Sequence, residues 1–165
     1  MKRLGASRIS RRDWIGDAVL TLIGGSAALA AVFLPWANTD HGGAFNAALH
    51  KPAGIHGVLQ TEWGWQALAL AVLVVATGAL MIALDPRRVG IPAGVLVAIA
   101  GVAMFAVATD AQSHMGIGVH AGIGLVVSLF TGVLLVPIGL ASAAVAWVLR
   151  YQARQIAAAS PPGDS

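Results

Sequence analysis

Five histidines stand out as groups able to do chemistry: His41, His50, His56, His114 and His120. All of them lie between the long apolar segments, in the same stretches as Asp40, Glu62 and Asp110. A neutral imidazole is the commonest metal ligand, and carboxylates complete many such sites. Asp110 and His114 are four residues apart, so they share one face if a helix runs through both. On one reading, some of His41, His56, Asp110, His114 and His120 hold zinc or copper. On a second, His114 or His120, the two nearest to helix ends, supplies an axial ligand to haem in an outer-leaflet pocket, and a quinone is the other occupant considered. On a third, the histidines form a pH-responsive surface. With Lys51 and the three acids, that face moves from −2 with neutral histidines to +3 with all five protonated, around the ordinary imidazole value of about 6.5. The simplest reading is that they are polar loop residues at a wet interface, some of them capping helices, with no cofactor. No His-Glu-x-x-His spacing is present, and glycine-rich stretches separate the pairs.

Other chemistry finds little support. There is no cysteine, hence no disulfide, thiolate metal site or thiol nucleophile. No Gly-x-Ser-x-Gly elbow, phosphate-binding Gly-Lys loop or paired carboxylates occur, and Gly116-x-Gly118 does not open a β-α-β unit. The chain therefore reads as a non-enzyme.

The elements that must position these residues follow from composition. The chain has 165 residues, 58% of them apolar and 10% charged, with a mean hydropathy of +0.79. Soluble domains are about 45–50% apolar and about 25% charged. A water-soluble enzyme domain is excluded, and so is wholesale disorder, whose signature is low hydrophobicity. A bilayer core about 30 Å thick needs about 20 apolar helical residues. Four segments qualify, at about 18–36, 63–84, 89–109 and 121–149. The expected fold is all-α, a four-helix transmembrane bundle forming one domain over 1–165, with a flexible tail at 157–165. The last segment exceeds one crossing, so it tilts, bends at Pro137 or extends beyond the membrane. Within these boundaries no charged residue or histidine falls mid-span, which argues against a proton-coupled transporter or ion pump acting alone.

Nine of the ten basic residues fall on one side of such a bundle, Lys51 being the exception. The positive-inside rule then places both termini and the Asp85–Arg88 turn in the cytoplasm. Residues 37–62 and 110–120 form the outer loops. Trp14 and Trp147 fall at the expected inner interface, and Trp36, Trp63 and Trp65 at the outer one, as amphipathic rings prefer. The first outer loop is too long for a plain connector and is expected to form an ordered cap, with a helical turn at Phe45–Leu49. The basic residues flank apolar spans, so anionic headgroups are expected partners and nucleic acid is not.

Ser10-Arg11-Arg12-Asp13-Trp14-Ile15 resembles a twin-arginine export signal. The apolar run continues to Trp36, beyond Ala28-Leu29-Ala30, so a retained helix is expected. In lipid, helices associate through small residues. Gly118, Gly122, Gly124, Ser128 and Gly132 on the fourth span, Gly94 and Ala98 on the third, and Gly24 and Ala28 on the first are the expected seams. A partner helix or second copy is the alternative use of the same stripes.

Four spans, inside termini, a long first outer loop and a short second one resemble the topology of claudin-type tetraspans. Trp36 and Trp63-Gly64-Trp65 stand where that family pairs tryptophans around its first loop, although the family's cysteine pair is absent here. The Ala/Val/Gly-rich composition and the Leu34-Pro35-Trp36 exit also resemble small four-span membrane proteins of high-GC bacteria, which implies a bacterial cell membrane. The expected role is a non-catalytic accessory or assembly subunit of a larger membrane complex, contacting other subunits or a second copy through Trp36, Trp63, Trp65 and the first outer loop. The alternatives are an extracytoplasmic metal- or haem-binding protein and a small oligomeric channel or transporter.

Overall fold

The computed structural model describes residues 11–39, 44–46, 61–115 and 119–159. Four helices dominate: α1 (Arg11–Phe33), α2 (Thr61–Ala83), α3 (Pro86–Ser113) and α4 (Ile123–Ala159). Each is long and apolar enough to cross a membrane. Large apolar side chains such as Ile23, Ile99, Phe130, Val133 and Leu140 point outward along them. Water would penalise so large an apolar surface, whereas lipid does not. This is a multi-pass integral membrane protein, in contact with the bilayer. At 1.5 Å per residue, the 37 residues of α4 reach about 55 Å, well beyond a hydrocarbon core of about 30 Å. The chain passes through Pro137 without ending the helix.

Three short strands depart from a purely helical expectation: β1 (Pro35–Thr39), β2 (Ala44–Asn46) and β3 (Val119–Ala121). They form one antiparallel sheet in the order β2-β1-β3 at one end of the bundle. The Phe45–Leu49 turn is corrected at its start, since Phe45 and Asn46 are extended and pair with β1; residues 47–49 lie outside the described residues. Ladder hydrogen bonds to β1 satisfy backbone groups that a lone helical turn at the rim would leave to solvent. Pro35 opens β1, where its missing N–H removes no essential ladder bond. Pro35 pairs with Asn46 and Ala37 with Phe45, leaving Trp36 as the extra residue of a bulge. A bulge re-aims a side chain, and both Trp36 and Ala37 are fully buried despite being consecutive.

α1 is held by a tryptophan near each end. Trp14 is buried, and its indole N–H donates to the Met81 carbonyl (2.8 Å) in the last turn of α2, where carbonyls lack intrahelical partners. Trp36 donates to the Ala31 carbonyl (2.9 Å) at the other end. Both rings are buried within the protein and do not face outward; Trp65 and Trp147 are the exposed indoles.

α3 and α4 make the closest seam. A Cβ on Gly94 would lie 2.5 Å from Gly139 O, and one on Gly139 would lie 2.5 Å from Gly94 O. Gly101 and Gly132 oppose each other in the same way, at 2.8 and 2.9 Å. The two pairs stand one heptad apart on antiparallel helices, so the backbones touch at a regular interval. Asp85 caps α3 by accepting from Arg87 N (3.0 Å), and Pro86 occupies its first turn. Pro92 cannot donate to Arg88 O. That carbonyl instead accepts from Arg150 Nη2 (2.7 Å), and Arg87 O accepts from Arg150 Nε. An arginine of α4 therefore repairs the gap that a proline opens in α3.

Candidate functional site

The chemistry expected of the loops gathers at the sheet end. α3 continues past Asp110 to Ser113, which places Asp110 and His114 one turn apart at its terminus. Asp110 Oδ2 accepts from the Trp63 indole N–H of α2 (2.7 Å). Its Oδ1 lies 3.6 Å from His114 Nδ1, and the Trp63 and His114 rings sit 5.3 Å apart at a 44° tilt. His114 Nδ1 is also 2.9 Å from Asp110 O and 3.2 Å from Ser113 Oγ. Two acceptors around Nδ1 favour the tautomer with its proton there, leaving Nε2 with a lone pair. The Asp110 and His114 side chains are 55% and 58% exposed, so their contact contributes little to stability. What the cluster does is bridge α2 to α3.

Among the described residues, no three His, Asp or Glu side chains come together as a metal site. His120 stands on β3 opposite Asn38 of β1, at the edge of the sheet. His41 and His56 lie outside the described residues, as does Gly118. The segment after α1 and the segment before α4 do meet, because β3 pairs with β1 and Gly122 N donates to Trp36 O (2.8 Å).

The three tryptophans of the first loop have different surroundings. Trp36 is fully buried, Trp63 half-buried and engaged with Asp110, and Trp65 66% exposed. Gly122 and Gly124 seat Trp36: a Cβ on Gly122 would lie 2.3 Å from Pro35 O, and one on Gly124 would lie 2.6 Å from Trp36 Cδ1. Ser128 is buried in α4, and Gly94, Ala98 and Gly132 line the α3–α4 seam.

One residue falls outside every sequence-based expectation. The first candidate span runs over Asp13–Phe33, not from Ala18, and it takes in Asp17. Asp17 lies near the start of that stretch, not in its middle. Asp17 Oδ2 is buried and has no hydrogen-bond partner, while the carboxyl bonds to Ser142 on α4. Alternation of Asp13, Asp17 and Thr21 at helical spacing was the available signal. Comparison with protein-family models gives no match, and neither does comparison with curated proteins or with solved structures.

Proposed function

We propose that this protein is an accessory or assembly subunit of a larger membrane complex, with its arginine-rich end in the cytoplasm and its sheet on the opposite side. The positive-inside bias supports the orientation. The observation that carries the role is the division of labour at the sheet end. Trp36, Trp63, Asp110 and His114 are engaged in internal contacts, while Trp65 stays exposed on a rigid helix start. Exposed aromatic residues on rigid elements are favoured interface anchors. Purification from native membranes in mild detergent should recover a stoichiometric membrane partner, and Trp65→Ala should lose it while remaining folded. Recovery of the protein alone, or of a homo-oligomer unaffected by Trp65→Ala, would overturn the reading.

The free Nε2 of His114 beside Asp110 favours metal binding as a second reading. Elemental analysis of purified wild type and His114→Ala tests it. Stoichiometric zinc or copper lost in the variant supports it, and metal-free wild type removes it.

A further inference from the structure

We propose that Arg87, Arg88, Arg150 and Arg154 form a binding site for the phosphate of an anionic phospholipid, at the end of the bundle opposite the sheet. Arg150 of α4 donates from Nε to Arg87 O and from Nη2 to Arg88 O (2.7 Å). These bonds carry a guanidinium of α4 to the first turn of α3, beside two further arginines. Arg154 follows one helical turn after Arg150, on the same face of α4. Arg87, Arg88 and Arg154 are exposed. Among the described residues, none of the four is paired with a carboxylate. Asp85, their neighbour in the chain, is engaged in the α3 cap, where it accepts from Arg87 N (3.0 Å). A guanidinium has five N–H donors. Arg150 commits two of them, and the others are left for an anion. Like charges gathered in this way repel until an anion joins them, and planar guanidinium forks match phosphate oxygens.

The depth of the cluster selects a lipid over a soluble phosphate. At 1.5 Å per residue, the 28 residues of α3 reach about 42 Å. A bilayer with both headgroup layers is about 40–45 Å thick. With Ser113 at one surface, Arg87 and Arg88 stand among the headgroups of the other. Just before them, Ile82 and Leu84 are exposed around the end of α2, which suits a surface that faces lipid. On α4, Trp147 and Tyr151 are exposed and stacked, with ring centroids 6.0 Å apart at 17°. The Tyr151 hydroxyl oxygen accepts from Gln155 Nε2 (2.8 Å). Rings with an apolar body and a polar end belong at the headgroup boundary. These two alternate with Arg150 and Arg154 over two turns of α4, so the aromatic pair and the arginines share one level. The rings offer a surface to the glycerol and upper acyl chain, which a free phosphate does not use.

Native mass spectrometry of the delipidated full chain in neutral detergent tests the site, with phosphatidylglycerol and phosphatidylcholine of identical acyl chains as probes. Wild type should hold phosphatidylglycerol in preference to phosphatidylcholine. Arg88→Gln and Arg154→Gln should each weaken that binding about fivefold, the factor that about 1 kcal/mol per arginine at a lipid surface gives. Arg154→Gln, near the end of α4, decides the matter even if Arg88→Gln does not fold. Lys51→Gln, which removes a positive charge from the stretch between β2 and α2, should change nothing, and inorganic phosphate should not displace the lipid. No preference for phosphatidylglycerol, unchanged binding in Arg154→Gln, an equal loss in Lys51→Gln, or displacement by inorganic phosphate would each overturn the proposal.

Discussion

Trp36 shows how much one side chain can organise. The bulge in β1 turns it inward, Ala31 takes its N–H, and Gly124 of α4 leaves room for its ring. Trp36→Ala should destabilise the protein by about 3–5 kcal/mol, the usual cost of emptying a large aromatic site. Trp65→Ala, at an exposed position, should leave the unfolding midpoint unchanged. Denaturant unfolding in detergent, followed by circular dichroism, separates the two. The same contrast shows what residue types alone disclose. All three tryptophans near the first loop are visible in the sequence at span boundaries. Only the bulge decides that one is core, while Trp63 finds its partner, Asp110 of α3, 47 positions further along the chain. Asp17 was missed for a simpler reason. Apolarity alone starts the span at Ala18, whereas α1 begins at Arg11 and carries its polar first turns into the bundle.

At the scale of elements, the Pro92–Arg150 relation makes a sharp prediction. Arg150→Met should destabilise by about 1–3 kcal/mol because Arg88 O loses its donor. Adding Pro92→Ala should recover part of this, since the alanine's N–H can reach the same carbonyl. Unfolding midpoints of the two single variants and the double variant form the cycle, and additive effects would sink the idea. Glycines offer a second comparison. Gly139→Leu would drive a side chain into the backbone of α3, 2.5 Å from Gly94 O, and should prevent normal packing. Gly16→Ala meets nothing within 4 Å and should stabilise α1 by about 0.5–1 kcal/mol. Small-residue spacing marks such stripes in a sequence. Which stripe faces which helix is a matter of rotation about the helix axis, and Gly101 and Gly139 acquire their importance only when α3 and α4 dock.

For the molecule as a whole, topology is the testable property. The chain contains no cysteine, so single substitutions report without background. A membrane-impermeant maleimide applied to intact cells should label Ser113→Cys and leave Gln155→Cys unlabelled until the membrane is opened. The reverse pattern would invert the proposed orientation and, with it, the side from which Trp65 meets a partner. Four spans, their approximate limits and the one-sided arginines were legible in the sequence because length, apolarity and charge bias are local or additive quantities, and the bilayer reads them segment by segment. The sheet, the Trp63–Asp110–His114 bridge, the Arg150 repair and the Asp17–Ser142 contact were not. Each joins residues from different helices or loops, and none carries a periodicity of its own. Their pairing depends on helix rotation, on how far each helix runs beyond its apolar stretch, and on a one-residue bulge, all of which are settled only when the four helices pack together.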